Sequence, residues 1–472
     1  MIFNSFNFIV LFPIIFLLYY IIPARYNRGR NLYLLLVSYL LYLQWKPVHA
    51  LILIGVTVIT YFAALKVEKS DKPKRVMTIG ILLALLPLTF FKYFDFISQI
   101  VSDALSAVGL NFQLTGLNWA IPIGISFFTF QAAGYLWDVY YKREKAEHDF
   151  LTYALFVSFF PSILSGPINK ASHLIPQLKT IRPYFDYDKA VKGLKILLWG
   201  MFMKVVVADR VGLYVDTVLP YYTNYSGSTC LLASALYAIQ IYADFAGYSL
   251  MAIGVGKVLG FELTENFRRP YFAVSITDFW HRWHISLSTW LKDYVYIPLG
   301  GSRCSKVRNY WNIFVTFLVS GIWHGANWTF IIWGCIHGVL QIIEKMLGQQ
   351  KCNYGALGKT VKICITFILV VFAWIFFRMP TLGDACGVVA RIFDFSLSKK
   401  IFLDYSITTN FLIFSGVAVL VFKDVIDEFF SSHLKLFENK ITIVRWATYV
   451  LVMVAILLTG VFGADQFIYA NF

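Results

Sequence analysis

The run Asn309-Tyr-Trp-Asn-Ile-Phe-Val-Thr-Phe-Leu-Val-Ser-Gly-Ile-Trp-His-Gly-Ala-Asn-Trp-Thr-Phe-Ile-Ile-Trp-Gly-Cys-Ile-His-Gly-Val-Leu-Gln-Ile-Ile343 contains no Asp, Glu, Lys or Arg. A bilayer crossing needs about 20 apolar residues, so this run is a membrane segment with length to spare. It has company. Charge-free stretches also cover 1–24, 31–45, 104–137, 217–243 and 446–464, with shorter apolar runs between them. Of the 472 residues, 58% are apolar, 18% aromatic and 14% charged, and the mean hydropathy is +0.65. These values exclude an ordinary soluble domain. The pattern predicts an all-α integral membrane protein, a multispanning bundle of about 11 to 13 hydrophobic elements with re-entrant or interfacial helices, some of them half-helices. No period or low-complexity linker divides it, so 1–472 reads as one membrane domain.

The net charge of +15 raises nucleic acid as a partner, but the placement of the charge argues against it. Lys and Arg cluster between the apolar runs, at Arg25–Arg30, Lys66–Arg75, Lys142–Lys145, Arg303–Arg308 and Lys345–Lys362. That is the signature of cytosolic loops held beside anionic membrane lipids. The first run has no basic start and is followed by Arg25, Arg28 and Arg30, so it reads as a retained span and not as a cleaved leader. The six cysteines show no CxxC pair, which argues against a disulfide framework or a thiolate metal site.

Chemistry concentrates in two places. In Thr277–Ser302, the residues Trp280, Trp283, Leu287, Trp290 and Tyr294 recur at helical spacing and form one aromatic stripe. Read as a single helix ended by Pro298-Leu-Gly-Gly301, the segment carries Arg282, Asp293 and Lys292 beside the stripe, with His281 and His284 on a shared face. The second place is the opening run itself, where His324 sits at membrane depth with Asn327 close by. An ionisable group there is costly and marks a functional site. Gly321-Ile-Trp-His-Gly325 and Gly334-Cys-Ile-His-Gly338 are both GxxxG patterns, so close helix packing explains the glycines but not the histidines. One continuous helix through both would part His324 from His337 by about 20 Å, giving His337 a structural role.

A cluster of His281, His284 and His324 has the ligand type for zinc or iron, as in a membrane desaturase. With eight histidines in all, and His49, His148, His173 and His433 isolated, dense histidine boxes are missing and no metal is expected. A neutral buried histidine suits general-base work instead, taking a proton from a hydroxyl that attacks an acyl carbonyl. No GxSxG elbow signals a lipase-like serine. A glycan transporter is the alternative outside enzymology.

Phe279-Trp-His-Arg-Trp-His284 leading into Asp293-Tyr-Val-Tyr-Ile-Pro-Leu-Gly-Gly301, then Gly321-Ile-Trp-His-Gly-Ala-Asn-Trp328, resembles the membrane-bound O-acyltransferase family, in particular its bacterial alginate O-acetyltransferase branch. Met1–Phe8, Ser126–Gln131, Trp137–Tyr140, Ser165–Ile168 and Asp244–Ser249 extend the likeness, with a motif-bearing core at about 120–345. His281 departs from the family pattern, which generally has Arg or Asn there. The resemblance implies a bundle around a tunnel in the bacterial cytoplasmic membrane, with catalytic His324 and His284. Asn327, Arg282 and Asp244 become substrate-binding candidates, and no cofactor is implied beyond acetyl-CoA as donor substrate. It further implies a polysaccharide acceptor, acetylated either directly, with His324 activating the sugar hydroxyl, or by an extracytoplasmic partner acetyltransferase to which the acyl group is relayed. D-alanyl transfer to teichoic acid is the alternative within the family. Should the basic loop attract the donor phosphates, charge reversal at Arg303, Lys306 and Arg308 raises the KM for acetyl-CoA at normal membrane insertion. An unchanged KM removes that role.

Overall fold

A computed structural model describes residues 3–44, 46–110, 116–117, 119–181, 185–348, 355–394, 401–403, 406–430 and 436–462. Met1, Ile2, Trp45, Cys352 and His433 lie outside the described residues, as does 349–354 within the Lys345–Lys362 stretch. All regular structure among the described residues is helical. In order the helices are α1 (Phe6–Ile21), α2 (Asn27–Leu43), α3 (Pro47–Lys69), α4 (Pro73–Ala107), α5 (Ile125–Tyr140), α6 (Phe150–Ser158), α7 (Phe160–Ile163), α8 (Ala171–Lys179), α9 (Tyr187–Met201) and α10 (Asp209–Val218). They continue with α11 (Gly227–Val258), α12 (Ile276–Arg282), α13 (Ile285–Leu291), α14 (Lys306–His324), α15 (Trp328–Met346), α16 (Ala356–Arg378), α17 (Leu382–Ile392), α18 (Ile407–Phe429) and α19 (Thr442–Thr459). Six of them, α3, α4, α11, α16, α18 and α19, are long and apolar enough to cross a bilayer, and the bent pair α1–α2 makes a seventh candidate. Leu451, Leu457 and Leu458 on α19 are more than two-thirds exposed, a surface that lipid covers and water would not tolerate. The protein is a multi-pass, all-α membrane protein.

By internal contacts the chain forms two compact units, Met1–Gly193 with Val255–Thr264, and Leu194–Gly254 with Glu265–Phe472. In the first, α1 and α2 meet at 105°. Ser5 caps α1 by accepting from the Phe8 N–H at 3.2 Å. Arg30, expected in a cytosolic loop, is 3% exposed: its Nε donates to the Ile22 carbonyl at 2.8 Å and its guanidinium lies over Tyr19 and Tyr20. It clasps the bend by giving the Ile22 carbonyl, which follows the last residue of α1, a donor. α3 and α4 start on Pro47 and Pro73, where the missing N–H costs nothing. Tyr153 donates to Thr60 Oγ1 at 2.7 Å, a polar tie inside the α3–α6 packing.

In the second unit the long charge-free run does not make one helix. It makes a hairpin of α14 and α15, broken at Gly325-Ala-Asn327. Gly325 is extended and a side chain there would strike the Phe330 ring, so the chain can pass only as glycine. Asn327 starts α15, its Oδ1 accepting from the Thr329 N–H at 3.0 Å and its Nδ2 donating to the Pro380 carbonyl at 2.8 Å. The two helices touch backbone to backbone. A Cβ on Gly321 would collide with the Phe330 carbonyl, and one on Gly334 would lie 2.5 Å from the Phe317 carbonyl.

The aromatic stripe is likewise broken. α12 ends at Arg282, α13 begins at Ile285, and a wide π-type turn, Lys292–Tyr296, follows. Its core-facing members remain buried, with Trp283 and Leu287 at 0% exposure. Helical spacing identified the buried side chains, but it could not register a break that keeps them on the same side.

Gly334→Val is expected to destabilise the hairpin by about 1–3 kcal/mol, because a packed backbone contact has no room for added carbons. Gly55→Ala, where a Cβ meets nothing within 4 Å, leaves stability equal or higher. Melting temperatures of the two variants in detergent check the pair.

Candidate active site

His284 and His324 come together because each stands at a helix break. His324 is the last residue of α14. His284 sits between α12 and α13 with φ +42°, a left-handed conformation costing a non-glycine residue about 1–2 kcal/mol. Its surroundings hold it there. The Ile285 N–H donates to the Asn266 carbonyl at 2.9 Å, and Asn266 Oδ1 accepts from the Ser286 N–H at 3.2 Å and from its hydroxyl at 2.9 Å. Asn266 Nδ2 in turn donates to Ser249 Oγ at 3.1 Å, tying the break to α11.

The two imidazole centroids are 6.5 Å apart, at 0% and 2% exposure. Around them lies a box of aromatic rings. Phe245 of α11 meets His284 edge-on at 4.7 Å, and Trp333 of α15 and Phe377 of α16 meet His324 at 4.9 and 5.3 Å. Trp374 stacks on Trp333 at 5.7 Å and packs on Trp283 at 5.0 Å. Burial among these rings pulls the His284 imidazole well below its ordinary pKa, because the cation loses its hydration. At neutral pH it is uncharged and can accept a proton or a hydrogen bond.

Beside the box lies a cavity of about 280 Å³, whose lining includes Trp280, His281, Ser288, Lys292, Ser320 and Lys345. It reaches the α14 turn preceding His324, and its wall carries His281, Lys292 and Lys345. His281 and His284, expected to share a face, are parted by the break: His281 faces the cavity, and His284 is enclosed. His337 also moves from its expected place. The hairpin folds it back so that its ring lies 4.9 Å from Trp333, with its Nδ1 accepting from Trp280 Nε1 at 3.3 Å. The predicted separation of about 20 Å failed because it assumed one continuous helix.

The other candidates have partners of their own within the protein. Arg282 donates to Asp278 Oδ1 at 2.9 Å and to Glu428 Oε1 at 2.7 Å, and Arg269 holds the same Glu428 at 2.6 Å. Asp244 Oδ1 lies 2.7 Å from Lys204 Nζ, which also meets Asp209 Oδ1 at 2.7 Å. Asn327 serves as the α15 cap. Among the described residues, no three His, Cys, Asp or Glu side chains converge as a metal-holding group. The sequence reading missed Asn266, Trp333, Trp374 and Phe377. The last two lie in a stretch where only apolar character was visible. Lys204 carried a usable signal, a single charge amid Phe202-Met-Lys-Val-Val-Val207.

Two buried imidazoles 6.5 Å apart between centroids, shielded by aromatic rings and lying beside a cavity whose wall carries cations, have the chemistry to deprotonate a hydroxyl while an anionic acyl donor is held nearby. Comparison with known proteins gives the family. The membrane-bound O-acyltransferase family model matches residues 74–379. The probable alginate O-acetylase AlgI of Pseudomonas aeruginosa is 39% identical over 401 residues, covering 84% of this chain and 75% of the relative. The peptidoglycan O-acetyltransferase of Helicobacter pylori is 36% identical over 428 residues, covering 82% and 79%. The teichoic acid D-alanyltransferase of Bacillus subtilis is 29% identical over 268 residues, covering 54% and 68%. An acyltransferase replaces the transporter alternative, and the chain belongs to the membrane-bound O-acyltransferase family.

Proposed function

We propose that the protein moves an acetyl group from acetyl-CoA to a hydroxyl of an extracytoplasmic polysaccharide, either directly or through a partner acetyltransferase outside the membrane. The observation that carries this reading is the pair of buried imidazoles in their aromatic box. Acetyl transfer is favoured over D-alanyl transfer because the acetylating relatives are more similar and cover more of the chain. Lys292 and Lys345 on the cavity wall, with Arg303, Lys306 and Arg308 exposed around the start of α14, supply the positive charge that a phosphate-bearing thioester seeks.

In this mechanism His324 removes the acceptor's hydroxyl proton as the oxygen attacks the thioester carbonyl. The new C–O bond forms, the C–S bond breaks, and the proton passes to the departing thiolate. His284, neutral and 6.5 Å away between centroids, orients the acceptor or the imidazole that acts on it. Arg282, Asp244 and Asn327 support the site by fixing helices, through the ion pairs and the cap that occupy them.

The test measures transfer of labelled acetyl from acetyl-CoA in membranes that contain the native partner and glycan, at matched expression. His324→Ala is expected to lower turnover by about 10²–10⁴-fold, the usual worth of a general base. His284→Ala is expected to lower it as well. Wild-type rates in both variants would place the proton transfer elsewhere.

A further inference from the structure

The mechanism leaves the carbonyl oxygen of the donor without a partner. A thioester carbonyl gathers negative charge as the acceptor adds to it, and an acyl-transfer site needs a hydrogen-bond donor at that point. Ser320 stands one helical turn before His324 on α14, so the two side chains share a face of the helix. It is 0% exposed, and it lines the cavity that His281, Lys292 and Lys345 also line. His324 is not part of that lining and lies a turn further along. Ser320 therefore stands in the wall between the cavity and the base.

Its hydroxyl is also unusual. Several buried helical hydroxyls in this protein satisfy themselves on the carbonyl four residues back: Ser38 on Leu34 at 2.8 Å, Ser158 on Ala154 at 2.7 Å and Ser234 on Cys230 at 2.8 Å, as does the half-buried Thr316, one turn before Ser320, on Asn312 at 2.6 Å. Ser320 Oγ makes no such bond and has no hydrogen-bond partner among the described residues. A buried hydroxyl left in this state is costly, and the cost is recovered if a ligand supplies the acceptor. The packing explanation, that a small residue is needed beside Gly321, accounts for its size and not for its unpaired oxygen.

We infer that Ser320 is a further catalytic residue, whose hydroxyl donates a hydrogen bond to the carbonyl oxygen of the acyl donor while His324 takes the acceptor's proton. The serine gains and loses no atoms in the step: the acceptor C–O bond forms, the C–S bond breaks, and the proton reaches the thiolate through His324. The inference rests on the acetyl-transfer reading above.

Ser320→Ala keeps the packing volume and removes the donor, and Ser320→Thr keeps the hydroxyl. In the membrane acetyl-transfer assay, Ser320→Ala is expected to lower kcat about a hundredfold with KM for acetyl-CoA within about twofold of wild type. The melting temperature is expected to stay the same or rise, since the variant removes an unpaired buried hydroxyl, and Ser320→Thr to recover most of the rate. A purely structural serine would lower the melting temperature in step with activity and would show no split between kcat and KM. Wild-type kcat in Ser320→Ala overturns the inference, and so does an acetyl ester isolated on Ser320 during turnover, since that makes the residue a nucleophile. A wild-type protein that transfers no acetyl from acetyl-CoA overturns the acetyl-transfer reading and this inference with it.

Discussion

The close approach of α14 to α15 at Gly321 and Gly334 governs everything around the site. Helices inside a membrane gain little from hiding apolar surface from one another, so they associate through packing and small residues that admit backbone contact. Here that contact folds a 35-residue apolar run back on itself instead of letting it cross as one rod. The turn at Gly325-Ala-Asn327 then frees backbone groups at the start of α15, and Asn327 caps that helix and bonds to Pro380. His324 is delivered to the inside of the hairpin mouth, against Trp333 of the returning helix.

The second histidine arrives by the same device on a different segment. α12 and α13 are each too short to cross a bilayer, and the break between them is maintained by Asn266 at the expense of a left-handed His284 backbone. Strain of that kind persists when the surroundings over-determine it, and here it brings an imidazole within 6.5 Å of its counterpart. Aromatic rings from α11, α15 and α16 exclude water from both. Exclusion keeps His284 neutral, so the fold that builds the site also sets its protonation state.

Much of this was legible in the residues. The charge-free runs announced a multispanning helical protein, and a histidine at membrane depth announced His324. The order of motifs from Phe279 to Trp328 led to the family. The breaks were not legible, because an aromatic stripe at helical spacing reads the same whether α12 and α13 are one helix or two. For the same reason the spacing groups His281 with His284 and sets His337 at a distance from His324. A basic residue next to others reads as a loop charge, whereas at Arg30 the chain bends and the guanidinium serves the Ile22 carbonyl. Phe377 and Trp374 carried no local signal, since an aromatic in an apolar helix shows nothing of what it faces.

The central claim, that the two buried histidines serve O-acetylation of an exported polysaccharide, is tested most directly in the cell. The measurement is the O-acetyl content of the envelope and secreted polysaccharides, by NMR, in a strain lacking this protein and complemented with wild type or His324→Ala at equal membrane abundance. The account predicts that wild type restores O-acetyl signals absent from the deletion strain and that His324→Ala does not. Equal O-acetyl content in all three strains, or full restoration by His324→Ala, would contradict it.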